Sequence, residues 1–403
     1  MEELRLFVRE LKMQEKLSPV RNPQVAWFYC FFPALIGYFL MMANHLNAKP
    51  IVGGLDVAYP TAFHKVIPKT AKLEVVAQDM QWAEGPLWVE DSAAGIGYLL
   101  FSDTVENKIY KWESGKGMFT VGKSLYLEQS GCFKGNAQCD GRREVGSNGL
   151  LRQNHKDGVT DPAEVDLVAC QHGDRAVSLL MANGTRVWIA THHEGRRLNS
   201  PNDLVRSWDG HIYFTDPDYG LLQKDSGSVD KDEKGDVALN GVYMVRREDL
   251  IRSSLTGRPT TKVVLLEGGL SKPNGLVFSP DWGKLYVSNS DSANPVIYEY
   301  EVLDDGKLKL PGKVFFDASS LVAAGSTGNL DGMTIDIFGN VIAAGPGGVL
   351  VLSPQGNLLG RMLVGDGRVA TNVAFGDYGR LYITAGDVVL RTSISTRPAV
   401  KTE

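Results

Sequence analysis

Most apolar residues of this chain fall into short runs that are separated by tight polar turns. In one such stretch, Leu204 to Ser207 predicts a strand, Asp209-Gly210 a hairpin turn, and His211 to Thr215 a second strand. β-Branched and aromatic residues are frequent in the runs, and no long amphipathic helical pattern follows the N-terminal segment. The pattern therefore predicts an all-β fold built from hairpins.

The same hairpin recurs roughly six times at a spacing of about 40 to 70 residues, the range of propeller blades and solenoid units. Each copy offers one polar residue at an equivalent place. These residues are Glu84, Asn148, Asn202, Asn274, Asp331 and Asn372. Because the innermost strand of each propeller blade lines the central channel, the sequence predicts a six-bladed β-propeller with two carboxylates and four amides facing its axis.

An uncharged apolar run from Val25 to Ala43 precedes the hairpins. Its length of about 19 residues suits a helix that crosses a bilayer, so we expect an N-terminal transmembrane helix. Basic residues lie mostly before it, which predicts a single-pass membrane protein with a lumenal or extracellular propeller. The alternatives are a buried core helix and a cleaved signal peptide, which would leave the propeller secreted.

The chain divides into five predicted segments. They are a cytosolic N-terminal segment (1–24), a transmembrane signal anchor (25–43), a stalk (44–72), the propeller (73–395) and a tail (396–403). Leu73 to Val76 is expected to add an outer strand to the last blade and so close the ring.

Charge and cysteine content limit the possible partners. A net charge of −5 without a basic block makes nucleic acid a poor partner. Cys132 and Cys139 bracket a short glycine-rich insertion, where a disulfide is plausible in an oxidising compartment. Zinc is not expected there, because neither a Cys-x-x-Cys motif nor a matching histidine pair is present.

The predicted channel residues point to a cation. Glu84 and Asp331 would repel each other in one channel unless a cation lay between them, because buried unpaired carboxylates are costly. Amide oxygens of Asn202 and Asn274 would complete an all-oxygen set that suits one hard divalent ion, calcium first, with magnesium or manganese as alternatives. The competing interpretation is that these residues only cap turns at the blade entrances.

Six motifs together resemble the SMP-30/gluconolactonase/LRE-like family of six-bladed propellers. They are AEGPLW (83–88), LNSPNDLV (198–205), YFTDPDYGL (213–221), KPNGLVFSPD (272–281), LDGM (330–333) and GPGGVLVLSPQG (345–356). The resemblance covers Leu73 to about Arg391, and the order and spacing of the motifs are more specific than any single motif.

The resemblance implies a metal site and a reaction. In this family the metal is held by the Glu of EGP, the Asn of PND, the Asn of PNG and the Asp of DG. The matching residues here are Glu84, Asn202, Asn274 and Asp331. The last is also implied as the catalytic acid/base. Family members use calcium, zinc, magnesium or manganese, and the implied reaction is hydrolysis of a small-molecule lactone.

Three further residues are candidates for substrate contacts. Asn148 occupies the channel position of the second repeat, His172 lies in the element QHGDR, and Asp216 ends a predicted strand. His172 is equally compatible with a satisfied core or turn histidine, and Asp216 with a strand-end turn before Pro217. Asp203 is interpreted as a turn cap.

Three functions fit these residues. The first is a metal-dependent lactonase, with the ion polarising the carbonyl and Asp331 as acid/base. The second is an arylesterase or organophosphate hydrolase, because the same ion can polarise a carbonyl or a phosphoryl oxygen. The third is a non-catalytic propeller that binds a partner and holds a structural ion.

Overall fold

The computed structural model describes residues 53–91, 96–113, 121–133, 137–153, 166–181, 184–227, 239–365, 367–377 and 379–399. These residues belong to a unit that runs from Pro50 to Glu403. The predicted cytosolic segment, the predicted transmembrane anchor and the first part of the predicted stalk lie outside the described residues. Within these ranges no helix has both the length and the apolar character needed to cross a membrane.

Twenty-five strands, three α-helices and two short 3-10 helices make up the described chain. Strand β1 (Leu55–Val57) and helix α1 (Pro60–Val66) come first. The first repeat contains β2 (Glu74–Asp91), β3 (Ile96–Asp103), β4 (Lys108–Glu113) and β5 (Ser124–Glu128). After a 3-10 turn (Ala137–Cys139), the second contains β6 (Ser147–Arg152), β7 (Leu167–Gln171), β8 (Ala176–Leu180) and β9 (Arg186–Ala190).

The later repeats follow the same plan. A small ladder of β10 (His192–His193) and β11 (Arg196–Arg197) precedes the third repeat. That repeat contains β12 (Leu204–Arg206), β13 (Ile212–Thr215), a 3-10 turn (Tyr219–Leu221), β14 (Val242–Val245), α2 (Arg247–Thr256) and β15 (Val264–Glu267). The fourth contains β16 (Pro273–Phe278), β17 (Lys284–Asn289), β18 (Val296–Glu301) and β19 (Lys313–Asp317).

Helix α3 (Ser319–Ala323) leads into the fifth repeat, which contains β20 (Met333–Ile335), β21 (Val341–Gly345), β22 (Gly348–Leu352) and β23 (Leu358–Leu363). The chain ends with β24 (Asn372–Phe375) and β25 (Arg380–Ser393). The hairpins predicted from the sequence are therefore present, because alternating runs and glycine turns specify antiparallel pairing locally.

The first and last repeats share one sheet. The strands form five antiparallel sheets of four or more strands, and the largest has the order β24-β25-β2-β3-β4-β5. The start of β2 pairs with β25, with Glu74 opposite Arg391, so the predicted closing strand is confirmed. Segment β25 itself doubles back at Gly386, whose φ is 62°, and the Ile394 N–H donates to the Gly379 oxygen over 2.8 Å.

The first strands of the repeats contact one another in a closed cycle, in the order β2, β6, β12, β16, β20, β24 and back to β2. The described chain is therefore an all-β propeller. It has five sheets rather than the six separate blades that the sequence predicted, because the first and last repeats are joined through β2.

Apolar side chains fill the spaces between neighbouring sheets. Between the second and third repeats, for example, Val168 and Ile189 pack with Phe214 and Tyr243. A strand in this position is covered on both faces, so it loses the polar alternation of a one-sided sheet. Strand β7, with the sequence LVACQ, is accordingly buried along its whole length.

Two predicted boundaries are wrong. From Gly53 onward the predicted stalk belongs to the propeller: β1 pairs with β23, with Leu55 opposite Met362, and α1 buries Phe63 and Val66. The predicted tail also packs against the fold, because the Ala399 N–H donates to the Ile335 oxygen over 3.1 Å. Both segments gain buried area and hydrogen bonds that partners distant in sequence supply.

Candidate active site

Six polar residues at the starts of the first strands form what we call the axial cluster: Glu84, Asn148, Asn202, Asn274, Asp331 and Asn372. Direct hydrogen bonds join four of them. The Asn148 amide nitrogen donates to Asn202 Oδ1 over 2.8 Å, and Asn202 Nδ2 donates to Asn274 Oδ1 over 2.8 Å. Asn274 also hydrogen-bonds the carboxyl group of Asp331. The structure thus brings together side chains from four different repeats.

Glu84 belongs to the same electrostatic group. Its side chain is 4% exposed, and its Oε2 accepts a hydrogen bond from the Gly85 N–H over 3.2 Å. Burial raises the pKa of the Glu84 carboxyl well above its ordinary value, and the negative charges of Asp331 and Asp203 raise it further. Asp331 is the partly exposed member of this pair.

Asp203 is a third carboxylate of the site, which the sequence analysis interpreted only as a turn cap. It does cap, because its Oδ1 accepts the Leu204 N–H over 2.9 Å. Its other oxygen accepts the Asn372 amide over 3.3 Å, and its charge raises the pKa of both Glu84 and Asp331. Burial raises the pKa of Asp203 itself to about 6. The repeat pattern did not identify Asp203, because the equivalent polar position of this repeat is the preceding residue, Asn202.

Close strand crossings explain why glycine follows four members of the axial cluster. A Cβ on Gly275 would lie 2.4 Å from the backbone oxygen of Asp331, and one on Gly332 would lie 2.0 Å from Cγ of Asn372. Only glycine permits this approach of one repeat to the next. The other two such positions are Gly85 and Gly149.

We expect the substitution Gly275→Ala to destabilise the propeller by about 1–3 kcal/mol, as overpacking does, and to lower activity by displacing Asp331. Urea unfolding measures the free-energy change. The matched control is Gly122→Ala, where an added Cβ meets no atom within 4 Å. Equal free energies of unfolding for the two variants would contradict the proposed crossing constraint.

Hydroxyl groups at the ends of the second strands fix the backbone of the cluster. Ser288 Oγ donates to the backbone oxygen of Asp331 over 2.9 Å, and Ser102 Oγ donates to that of Asn148 over 2.8 Å. Both are buried and bridge two repeats. The positions of the axial side chains therefore depend on neighbouring repeats as well as on their own strands.

His172 lies against the cluster, as one interpretation of the sequence proposed. Its Nε2 is 3.2 Å from Asn202 Oδ1, and its Nδ1 is 3.7 Å from Oε2 of Glu144. Burial lowers the pKa of His172 to about 4, so the ring is neutral. Glu144 was missed by the sequence analysis, because it lies in the insertion after β5 and at no repeat position. Burial raises its pKa to about 7.

Asp216 serves as a turn residue, the competing interpretation of the sequence. Its two carboxyl oxygens accept the backbone N–H groups of Asn199 and Ser200 over 2.8 and 2.9 Å. Burial raises the pKa of this carboxyl to about 7, while these N–H donors act in the opposite direction. Both oxygens therefore have backbone partners, and a substrate contact by Asp216 stays a prediction.

Tyr219 is a further channel residue that the repeat pattern did not identify. Its phenol hydrogen-bonds the side chains of Asn274 and Ser290, and it is partly exposed. Burial and the charge of Asp331 raise the pKa of this phenol, so it remains protonated. The available sequence signal was the motif YFTDPDYGL, in which Tyr219 lies on the turn after β13.

The predicted disulfide between Cys132 and Cys139 is present. Together with Asp174 these sulfurs form the one group of three His, Cys, Asp or Glu residues in the described ranges whose ligand atoms all lie within 4.8 Å of one another. Since the sulfurs are bonded to each other, neither is a thiolate available to a metal. The bridge instead packs on Gly173, where an added Cβ would lie 2.8 Å from Cys139 Sγ.

The carboxylates of the axial cluster fit a divalent cation. Glu84 and Asp331 supply oxygen donors, and the mutual repulsion of these carboxylates would be relieved by a cation. Asn202 and Asn274 depart from the prediction in one respect. Their oxygens accept from Asn148 and Asn202, and their nitrogens, which cannot bind a cation, face Asn274 and Asp331.

Comparison with known proteins gives a consistent family assignment. A family model described as the SMP-30/gluconolactonase/LRE-like region matches residues 82–387. The chain is also 33% identical over 361 residues to a gluconolactonase of Zymomonas mobilis subsp. mobilis, an alignment that covers 88% of this chain and 89% of that protein.

Solved structures show the same similarity. A gluconolactonase of Xanthomonas campestris is 25% identical, with a TM-score of 0.65 over 86% of this chain and 96% of that chain. The calcium-binding protein regucalcin of Agrobacterium tumefaciens is 18% identical, with a TM-score of 0.54 over 79% of this chain and 92% of that chain. The second likeness concerns the fold alone.

Proposed function

Because this chain belongs to the SMP-30/gluconolactonase/LRE-like family, we propose that it hydrolyses a lactone with the help of a divalent cation in the axial cluster. It is a gluconolactonase-like carboxylic-ester hydrolase with a small-molecule substrate. The observation that carries the proposal is the convergence of the Glu84 and Asp203 carboxylates and an amide chain on a partly exposed Asp331. With the closed cycle of six first strands, we count the propeller as six-bladed.

Glu84 and Asp331 are the proposed cation ligands, with Asn202 and Asn274 joining them if their amides rotate. Their all-oxygen donor set favours a hard ion, and calcium is the first choice, ahead of magnesium, manganese and zinc. When bound, such an ion polarises a carbonyl oxygen and makes water more acidic. It would also return Glu84 and Asp331 to their ionised forms.

Asp331 is the proposed acid/base. Its carboxylate accepts a proton from the water that attacks the lactone carbonyl carbon, and it gives the proton to the ring oxygen when the carbon–oxygen bond breaks. The products are one carboxylic acid group and one hydroxyl group, so a single water is consumed. The Gly332 N–H, 3.0 Å from Asp331 Oδ1, and the Ser288 hydroxyl hold this group in place.

The test is hydrolysis of a panel of small lactones, gluconolactone included, by the full chain. Activity should disappear with a chelator and return with one of calcium, magnesium, manganese or zinc. Glu84→Gln should abolish the cation-restored rate. The control is Glu299→Gln, which removes the same kind of charge outside the axial cluster, on β18, where Glu299 pairs with Lys284.

The same panel separates the alternatives. Turnover of aryl esters or organophosphates but of no lactone would favour the second hydrolase function. A folded protein that binds the cation and turns over none of these substrates would favour a non-catalytic propeller. Cation-independent hydrolysis of a lactone would overturn the proposed role of the ion.

We propose further that residues 25–43 anchor the chain in a membrane, with the propeller on the lumenal or extracellular side. The uncharged run and the preceding basic residues support this orientation. The Cys132–Cys139 disulfide supports an oxidising compartment. Extraction of membranes with alkaline carbonate tests the proposal, because release of the intact chain would contradict an anchor and would favour the secreted form.

A further inference from the structure

The amide hydrogen bonds of the axial cluster all run in one direction. Asn148 donates to Asn202, Asn202 donates to Asn274, and Asn274 hydrogen-bonds the carboxyl group of Asp331, which accepts from an amide nitrogen. In this orientation the Asn274 oxygen faces Asn202. The proposed cation requires the opposite, since only the amide oxygen can bind it.

The far end of this chain has two acceptors without donors. His172 Nε2 contacts Asn202 Oδ1, an acceptor, so the proton of the neutral ring lies on Nε2 and Nδ1 carries a lone pair. That lone pair faces Glu144 Oε2 at 3.7 Å, and Nδ1 has no hydrogen-bond partner in the described chain. The buried Asn148 Oδ1 also lacks one there.

Reversing every bond in the chain gives the His172 Nδ1 atom a partner. If Glu144 accepts a hydrogen bond from His172 Nδ1–H, then Nε2 becomes an acceptor. Asn202 must then turn its nitrogen toward Nε2, and Asn148 must turn its oxygen toward that nitrogen, which places the Asn202 oxygen toward Asn274. Asn274 in turn donates to that oxygen and presents its own oxygen toward Asp331. Tyr219 is compatible with this change because a phenol can donate as well as accept.

We propose that Glu144 and His172 are positioning residues that orient the Asn202–Asn274 amide chain so that the Asn274 oxygen faces the divalent cation. The inference rests on the proposed function. In its ionised form Glu144 can only accept a hydrogen bond, so it selects the Nδ1–H form of His172. Each following donor is then fixed by the one before it. A shift of roughly 0.5 Å brings the 3.7 Å pair to the outer limit of an N–H···O bond, about 3.2 Å.

Backbone hydrogen bonds hold Glu144 and His172 beside each other. The His172 N–H donates to the Gly146 oxygen over 3.0 Å, and the Gly173 N–H donates to the Val145 oxygen over 3.2 Å. The disulfide of the same insertion packs against Gly173. The insertion after β5 therefore carries Glu144 to His172 and fixes it there.

Calorimetric titration of the full chain with calcium tests the inference. We expect Glu144→Gln to weaken calcium binding by about 10- to 100-fold, the usual effect of losing a residue that orients a ligand, because glutamine accepts or donates equally well. His172→Gln should have a similar effect, and the double variant should bind no more weakly than either single variant. The matched control is Asp140→Asn, which removes an exposed charge from the same insertion.

Unchanged calcium affinity in Glu144→Gln, beside normal wild-type binding, would overturn the inference and leave the proposed function intact. A wild-type chain that binds no calcium, or whose binding survives Glu84→Gln, would overturn the proposed calcium site first.

A second measurement needs no variant: nitrogen-15 spectra of the histidines should show His172 changing from the Nε2–H to the Nδ1–H form when calcium is added. Retention of the Nε2–H form would equally overturn the inference.

Discussion

Replacement of Asp331 by asparagine should lower the kcat for lactone hydrolysis by about 10²- to 10⁴-fold, the usual contribution of a positioned acid/base group. Asparagine has nearly the same shape, and its oxygen can still accept the Gly332 N–H that lies 3.0 Å from Oδ1. The backbone bond from Ser288 is unaffected. The loss would therefore report the missing proton acceptor and cation ligand rather than unfolding.

Steady-state kinetics at saturating cation give kcat and KM for this variant, and thermal unfolding verifies its fold. Asp304→Asn is the control, since this exposed aspartate lies outside the axial cluster. A kcat within a factor of two of the wild type, with the variant folded and loaded with cation, would eliminate Asp331 as the acid/base. Partial recovery at a higher cation concentration would assign it a role in binding the ion.

The cation-free protein should lose stability as the pH rises from about 4 to about 7. Buried carboxyl groups with raised pKa values cause this loss: Glu84, Asp203, Asp331, Glu144 and Asp216. Each takes up a proton more readily in the folded state than in the unfolded state. Its stabilising contribution is therefore complete below the ordinary pKa and disappears as the pH passes the folded-state value.

The size of this loss follows from the three groups with defined pKa values. The pKa of Asp203 is raised from 3.8 to about 6, that of Asp216 from 3.8 to about 7 and that of Glu144 from 4.5 to about 7. Each difference corresponds to a loss of stability of at most roughly 3 to 4 kcal/mol. A divalent cation should offset the loss, and more so at higher pH, because its carboxylate ligands must be deprotonated.

Unfolding curves across this pH range, with chelator and with excess calcium, measure the effect. The gap between the two conditions should widen as the pH rises and should be absent in Glu84→Gln. Stability that increases with pH in the presence of chelator would contradict the raised pKa values. A constant gap would show that the ion binds away from these carboxylates.

The sequence predicted the hairpins well because their information is local. The run Pro273 to Phe278, the turn that follows it, and the run Lys284 to Asn289 match β16 and β17 residue for residue. Strand polarity and a glycine-containing turn suffice to specify such a pair. The closing strand, whose run begins at Leu73, pairs with a strand about 300 positions later, and it was predicted from the ring that the repeats imply.

The segment before the propeller was misjudged because its partners are distant. Residues 55–57 pair with a strand that lies about 300 positions later, and Asp56 binds Arg361 with distances of 2.7 and 2.9 Å. Phe63, Val66 and Ile67 do have the spacing of a helix face, and this was the available signal. Nothing in a single sequence states which sheet that face covers.

The site shows a similar division. Glu84, Asn274 and Asp331 were identified because each recurs at an equivalent place in a repeat. Asp203, Glu144 and Tyr219 occupy no repeat position, and the packing of neighbouring repeats brings them to the site. The sequence left two interpretations of Asp216 open, and in the structure both of its oxygens accept backbone N–H groups.

The sequence by itself determined the strands, their turns and the polar residue at the start of each repeat, because alternating polarity and glycine positions act over a few neighbouring residues. Tertiary structure decided which of those polar groups meet, which hydrogen bonds they exchange and how far their pKa values move. These properties depend on burial and on charges from other repeats, and both arise only when the ring closes.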